Sequence, residues 1–595
     1  MIRRPLRPLA RVLTARAHGD NPDLLEAEAK AERLRAAQRA ERARAELRLL
    51  MLAVAFLMGF GTVGVRMAVL AASDPQEPNL ASAQAGITAQ RANITDRNGV
   101  ILATNLATHS LYAHPQDLVD PAAAAEGLAR IFPDLQPMEL LAKFASDREF
   151  MWIKRTLSPE QRQAVHDLGE PGLLFGPREV RLYPNGPVAS HVLGGTGFGR
   201  EGVHAAEVIG TAGVERQFDD YLRDPANDGR PLTLSLDLSV QAAVEQVLAG
   251  GMALFHAKGA SAVLMEAQTG EILALASLPD FDPNDRPGLP HGTDPGDSPL
   301  FNRAAQGVYE LGSTFKLFAA ALALDTGIAN PSTMIDTKGP LKWGRFSIRD
   351  FRDYGARLSL TDVIVKSSNI GTARLAIETG TPRQKDFLDA LGFFKAVPVE
   401  LPEAGRTKPI LPEKWSELST MTISYGHGIA ATPLHLATAY ASLLNGGHRV
   451  TPSLLHNPDR ERGPTVVSAR TSRELREMLF QVVERGTASF GKVEGYPVGG
   501  KTGTADKPNP QGGYFEDRVI ATFAAAFPIH DPKYVLVVTL DEPEDRSGKE
   551  PRRTAGWTAV PVTSEIVRRI APLMNLRPIP KQAPRPADGP VLTAN

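Results

Sequence analysis

From Leu49 to Val65 no residue carries a charge (LLMLAVAFLMGFGTVGV), and beyond Arg66 the apolar run resumes from Met67 to Ala72. A helix rises 1.5 Å per residue, so about 20 residues cross a hydrocarbon core of about 30 Å. Residues 49–72 suffice once the Arg66 side chain extends to the far headgroups. Upstream, residues 23–50 are rich in Ala, Glu and Arg and hold neither Gly nor Pro, which predicts a helix running into the span. Downstream, residues 73–90 are small and polar, a linker. RANITDRNGVILATN then alternates around Asn98-Gly99, a strand–turn–strand pattern.

Further on, residues 121–168 predict mostly helix, and residues 173–230 are Gly-rich and mixed. LTLSLDLSVQAAVEQVL, from Leu232, reads as a strand entering a helix, and SAVLMEAQTGEILALAS as a hairpin turning at Thr269-Gly270. A Pro-rich loop (279–300), helices over 305–325 and 361–380, strands over 519–527 and 534–540, and an amphipathic helix over 558–573 follow. Residues 575–595 are Pro-rich and predicted disordered. The predicted fold is α+β, an antiparallel sheet with an all-helical lobe inserted between its halves. The expected division is a head (1–48), a membrane helix (49–72), a mixed domain (73–230), a larger α+β domain (231–574) and a tail (575–595).

Charge orients this picture. The 595-residue chain has a net charge of -1, which excludes a generally basic nucleic-acid binder. Residues 1–48 nevertheless carry twelve Lys and Arg against seven Asp and Glu, and residues 73–90 carry no Lys or Arg. The positive-inside rule puts the head in the cytoplasm and the body outside. Two other readings of the apolar run are a buried core helix and a cleaved signal peptide, whose charged leader is normally much shorter than 48 residues. The absence of Cys excludes disulfides, thiolate metal sites and a Cys nucleophile, and the 13 His residues form no H-E-x-x-H.

Two Gly-rich matches carry little. GYPVGGKT (495–502) fits G-x-x-x-x-G-K-[ST], but a poor strand precedes it and GTADKPNPQGG, which cannot be a helix, follows. GFGREG (197–202) fits G-x-G-x-x-G without a βαβ frame and reads as a flexible linker.

Three short motifs in order carry the chemistry: Ser313-Thr314-Phe315-Lys316, Ser367-Ser368-Asn369 and Lys501-Thr502-Gly503-Thr504. They match the S-x-x-K, S-x-N and K-T-G set of serine-acylating penicillin-binding enzymes. Ser313 and Lys316 share a helix face, which sets an amine beside a hydroxyl that needs a base to become a nucleophile. Lys316 serves only when neutral, and the helix dipole with Lys501 nearby is expected to lower its proton affinity. The Ser313 N–H supplies half of an oxyanion hole. The third motif reads as an edge strand: Gly503 lets a substrate backbone lie close, Thr502 and Thr504 bind a substrate carboxylate from one face, and the Thr504 N–H completes the hole. Ser367 is positioned to relay a proton and Asn369 to hold the substrate amide.

From about residue 50 to 573 the chain resembles the class B penicillin-binding proteins. RANITDRNGVILA, REVRLYP, HVLGGTG, GTAGVERQFDDYL, NRAAQGVYELGSTFK and SYGHGIAATPLHLATAYASLLNGG carry the likeness, with Leu311 where many members have Pro. SSN resembles the division (FtsI-type) branch; the elongation branch usually has Asp in place of Asn369. The resemblance implies a penicillin-binding catalytic fold on a pedestal with one membrane helix. It implies D,D-transpeptidation of peptidoglycan stem peptides through a Ser313 acyl-enzyme, covalent capture of β-lactams, and no cofactor. Implied partners are an FtsW-type polymerase and other divisome membrane proteins at the inner membrane, the catalytic domain being periplasmic. The alternatives are an elongation-type enzyme, a hydrolytic β-lactamase or carboxypeptidase using a base such as Glu310, and a non-catalytic β-lactam receptor or scaffold.

Overall fold

The computed structural model describes residues 13–14, 16–19, 22–72, 91–201, 206–288 and 294–579. The predicted linker (73–90) and all of the tail beyond residue 579 lie outside them. The chain divides into two units, Met1–Asn79 and Leu80–Asn595.

In the first unit, helix α1 (Pro22–Ala72) runs unbroken for 51 residues. Its stretch Leu47–Met67 has a mean hydropathy of 1.9 and no part of it is buried. Leu49, Phe56, Leu57 and Phe60 all face outward. A core helix hides such side chains, so that reading fails, and the segment is long and apolar enough to cross a membrane.

The second unit begins with β1 (Ile94–Thr95) and β2 (Ile101–Ala113), paired antiparallel across the predicted turn. Helices α2 (Pro121–Ile131), α3 (Pro137–Phe144) and α4 (Pro159–His166) follow, but β3 (Met151–Leu157) interrupts the helical stretch predicted there. Pairing decides this: β2 takes β3 on one side, with Tyr112 opposite Trp152, and β4 (Leu173–Leu182) on the other. The GFGREG segment belongs to strand β5 (Gly195–Glu201), which pairs with β6 (Ala206–Ala212), and so is no flexible linker. A short strand β7 (Leu232–Thr233) pairs parallel with β1.

The region that carries the three motifs opens with α5 (Leu238–Leu254) and the hairpin β8 (Gly259–Glu266) and β9 (Ile272–Leu278), turning at Thr269-Gly270 as predicted. The expected helix over 305–325 is shorter. Tyr309 is extended and pairs with Ala431, and a 3-10 turn at Gly312–Phe315 leads into α6 (Lys316–Asp325). After the small hairpin β10 (Leu341–Trp343) and β11 (Phe346–Ile348), the helix expected over 361–380 divides into α7 (Leu360–Lys366) and α8 (Asn369–Thr379). The break falls on Ser367, whose φ of 62° is left-handed. Then come α9 (Pro433–Leu444), α10 (Ala469–Arg485), β12 (Gly499–Pro508), β13 (Tyr514–Phe527), β14 (Tyr534–Asp541) and α11 (Ala559–Leu573).

The sheet order is β12-β13-β14-β8-β9, all antiparallel, with the predicted helical lobe between its halves. Consecutive residues of β8 and β14 are buried, so both faces are covered. Helix α9 is buried along its whole length against β8 and β14, while α5 and α11 pack together on the sheet. The start of the tail also packs: Leu576 is buried, and Ile579 N–H donates to Gly495 O at 2.8 Å. Strand β12 is the edge, with one side free.

The first segments of the unit are tied to this region. Asp96 accepts from Asn98, Val100 and Leu238 backbone N–H groups, and Arg97 reaches Glu271 at 3.5 Å. Glu215, fully buried, accepts from Arg91 Nε at 2.6 Å and Arg181 Nε at 2.7 Å. A buried carboxylate needs such charged donors, since leaving it unpaired costs several kcal/mol.

Candidate active site

The turn that carries Ser313 is held from two directions. On its inner side, Phe315 packs on Phe318 and Phe393 with ring centroids 5.1 and 5.0 Å apart. Tyr440, fully buried on α9, donates its hydroxyl to Thr314 O at 2.8 Å. On the other side three glycines allow backbone to meet backbone. A Cβ on Gly503 of β12 would sit 2.2 Å from Leu311 O and 2.9 Å from Thr314 Cγ2. One on Gly312, at φ +54°, would lie 2.7 Å from Thr504 O, and one on Gly426 1.9 Å from Gly312 O. Gly503 is therefore glycine because the Ser313 turn packs against it, a tighter constraint than the close substrate approach expected from sequence. Both Thr504 N and O lie on this Gly312 side of the strand.

Ser313 is half-buried in the 3-10 turn, three residues before Lys316. Lys316 is 1% exposed and Lys501 is 0% exposed. Both amines converge on Ser367: its Oγ lies 2.9 Å from Lys316 Nζ and 3.0 Å from Lys501 Nζ. Lys316 Nζ also donates to Ser367 O at 2.5 Å, and Lys501 Nζ to Thr502 O at 3.1 Å. The left-handed backbone at Ser367 turns its carbonyl and hydroxyl toward the same amine, a conformation that costs about 1 kcal/mol or more and persists where its surroundings fix it.

Among the described residues neither amine has a carboxylate within ion-pair distance. Burial therefore dominates. It pushes Lys316 well below the ordinary lysine range, with the Lys501 charge adding to the fall and Asp350 opposing it. Burial alone lowers Lys501 to about 7. The helix dipole expected to act on Lys316 is not the leading cause; desolvation is.

Asn369 opens α8 and lies on the same turn. Its Nδ2 donates to Arg349 O at 2.9 Å, which leaves the side-chain oxygen for a ligand. Thr502 and Thr504 share one face of β12, opposite to Lys501 and Gly503. Thr502 Oγ1 lies 2.7 Å from Thr487 Oγ1, and Thr504 Oγ1 accepts from Ala555 N at 3.0 Å. Each hydroxyl is thus oriented by a neighbouring loop.

Several groups at the site escaped the sequence reading. Asp350 Oδ1 accepts from Asn369 N at 2.5 Å and Ile370 N at 3.0 Å, and its Oδ2 from Ser368 Oγ at 2.6 Å. This one carboxylate caps α8 and fixes the Ser367–Asn369 turn. It sits in an irregular loop nineteen residues before Asn369, where no spacing rule points to it. Tyr440, Thr487 and Ala555 are likewise brought in by tertiary packing. Glu310, weighed as a hydrolytic base, has its carboxylate engaged: Oε1 accepts from Gly428 N at 2.7 Å and Tyr514 Oη at 3.2 Å, and Oε2 lies 3.2 Å from His427 Nδ1. Through the hydrogen bond to Glu310, the His427 pKa is raised. Among the described residues no group of His, Asp and Glu is arranged to hold a metal.

With these contacts in view, the chain matches the penicillin binding protein transpeptidase domain over residues 260–567 and the penicillin-binding protein dimerisation domain over residues 86–228. It is 38% identical over 504 residues to the probable peptidoglycan D,D-transpeptidase FtsI of Caulobacter vibrioides, covering 83% of this chain and 82% of that one. It is 28% identical over 558 residues to the peptidoglycan D,D-transpeptidase FtsI of Escherichia coli, covering 89% and 91%. Its fold is similar to crystallised penicillin binding protein 3 of Mycobacterium tuberculosis complexed with aztreonam, with a TM-score of 0.60 and 26% identity over 83% of this chain and 98% of that one.

The geometry predicts a coupled titration. The Lys501 charge helps to depress Lys316, so replacing Lys501 by Gln raises the Lys316 pKa, and the free amine then appears only at higher pH. In Lys501→Gln the rate of acylation by benzylpenicillin falls about 100-fold or more, and the acidic limb of its pH profile moves upward. A profile whose acidic limb stays in place shows that the two amines do not interact.

Proposed function

The chain belongs to the class B penicillin-binding protein family, and on that premise we propose that it is the septal D,D-transpeptidase of peptidoglycan synthesis, acting through Ser313. Lys316 takes the Ser313 proton as Oγ attacks the carbonyl of the penultimate D-Ala of a stem peptide. The Ser313 and Thr504 N–H groups receive the oxyanion. Ser367 passes a proton from the lysines to the departing terminal D-Ala, and an amine from a neighbouring stem peptide then resolves the ester. The edge of β12 receives the substrate main chain, Thr502 and Thr504 its carboxylate, and Asn369 its amide. β-Lactams enter as D-Ala-D-Ala mimics and stay bound to Ser313.

The observation that carries this reading is the convergence of two uncompensated buried amines on one hydroxyl, within 3.0 Å of each. A structural lysine keeps its charge in water or pairs it; an amine stripped of water and carboxylate is set up as a base. The hydrolytic alternative loses support because the Glu310 carboxylate is spent on Gly428, Tyr514 and His427. The division role rests on Asn369 and on the 38% identity to an FtsI protein. We assign residues 49–72 to a single membrane anchor, 73–230 to the pedestal, 231–574 to the transpeptidase domain, and the flanking head and tail to the remainder. The head is cytoplasmic and the body periplasmic, and an FtsW-type polymerase with other divisome membrane proteins are the partners.

Depleting the protein while supplying Ser313→Ala tests the role and the nucleophile together. The expected result is filamentous cells and no labelling of the variant by a fluorescent penicillin. Persistent label removes Ser313 as nucleophile, rounded cells point to elongation, and restored septation favours a scaffold. A phosphatase reporter active only outside the cytoplasm, fused to the C-terminus, is expected to be active; an inactive but intact fusion reverses the topology.

A further inference from the structure

Behind the Ser367–Asn369 turn lies a second hollow. A cavity of about 500 Å³ opens between residues 337–340, residues 349–356 and Ile370. Its wall is shared with the site. Asp350, which lines it, is the carboxylate that caps α8, and Arg349, also lining it, accepts from Asn369 Nδ2 through its carbonyl. The cavity therefore backs directly onto the turn that presents Ser367 to the two lysines.

Three cations line it against two carboxylates. Lys338, Arg349 and Arg352 line it and are exposed. Of the two lining carboxylates, Asp350 is saturated by the turn, and Asp353 accepts from Gly355 N at 2.8 Å. Residues 338–357 hold six Lys and Arg against two Asp in a chain whose net charge is -1. Aromatic surface accompanies the cations. The Arg352 guanidinium lies 5.5 Å from the centroid of the Tyr354 ring, and Phe351 beside it is 92% exposed. The neighbouring hairpin of β10 and β11 exposes Trp343 and Phe346.

We propose that this cavity binds the acyl acceptor, the second stem peptide whose amine resolves the Ser313 ester. The proposal rests on the transpeptidase reading above. Such an enzyme must hold two peptides around one reacting carbonyl. The donor lies along the free edge of β12, so the acceptor reaches the ester across the Ser367–Asn369 turn, whose outer face is this cavity. Stem peptides carry free carboxylates, which the exposed Lys338 and Arg352 at the mouth complement. In the step itself the acceptor nitrogen forms a C–N bond to the acyl carbon and the C–Oγ bond to Ser313 breaks. The proton lost by the amine passes through Ser367 and Lys316 to Ser313 Oγ, leaving an amide and the restored hydroxyl.

The test separates the two half-reactions in the full-length protein. A thioester donor is supplied with a synthetic stem pentapeptide bearing its free side-chain amine, and transfer and hydrolysis products are quantified together. The double substitution Lys338→Glu, Arg352→Glu is expected to leave benzylpenicillin acylation unchanged, which also reports intact folding. It is expected to raise the acceptor concentration for half-maximal transfer by about tenfold, equivalent to about 1.4 kcal/mol. Added salt narrows the gap between variant and native protein. The charge-preserving double Lys338→Arg, Arg352→Lys retains most of the transfer. Unchanged acceptor dependence with intact acylation overturns the assignment, and so does loss of acylation in a variant whose circular dichroism and melting temperature match the native protein, which ties the cavity to the donor half instead. If the native protein is acylated but never transfers to the peptide, the transpeptidase reading itself fails and the cavity assignment falls with it.

Discussion

Two lysine amines, both removed from water and neither paired with a carboxylate among the described residues, meet at the hydroxyl of Ser367. Burying an isolated ammonium is costly enough that the group gives up its proton instead. The fold therefore stores basicity by desolvation, and each element around the site serves to keep those amines dry. The store has a sign that stability should follow. The folded value for Lys501, about 7, lies below the unfolded lysine value of about 10.4. Between them the unfolded chain binds more protons, so this group contributes stability that grows as pH rises through that window and is absent below it.

Beside these amines the Ser313 turn and strand β12 approach more closely than side chains allow. Glycines at 312, 426 and 503 make that approach possible, and Tyr440 with the Phe315, Phe318 and Phe393 rings supports the turn from within. Asp350 plays the matching part at the Ser367 turn, where one carboxylate satisfies two backbone N–H groups and a hydroxyl. Through the same residue the turn shares a wall with the basic cavity, so the organisation of the reacting hydroxyls and the shape of that cavity are one structural problem.

Local pattern carried much of this in the sequence. The apolar run after Leu49, the hairpin at Thr269-Gly270 and the two late strands depend on periodicity within short windows, and the structure has them. The helix–lysine spacing at Ser313 and Lys316 is equally local. What failed was decided by distant partners. Strand β3 exists because Tyr112 of β2 pairs with Trp152. The helix expected from residue 305 is delayed because Tyr309 is drawn into a bridge with Ala431. The segment 361–380 breaks because Ser367 adopts a left-handed conformation that Asp350 and the lysines hold in place. For Lys316 the expected contribution of Lys501 holds, but the leading cause escapes the sequence for the same reason: a helix dipole and a second lysine are visible there, whereas burial on every side is not. Asp350, Thr487 and Ala555 left no trace because a side chain that orients a turn from an irregular loop obeys no spacing.

The claim on which all of this rests is the protonation state of one amine, and it can be read directly. Nitrogen NMR of selectively lysine-labelled protein, with the Lys316 signal assigned by its loss in Lys316→Arg, follows that group as pH is varied. A Lys316 resonance that turns into that of a free amine well below the pH at which the exposed lysines of the protein deprotonate is the predicted result. A resonance that remains that of an ammonium well into alkaline solution contradicts the account, because Ser313 would then have no base.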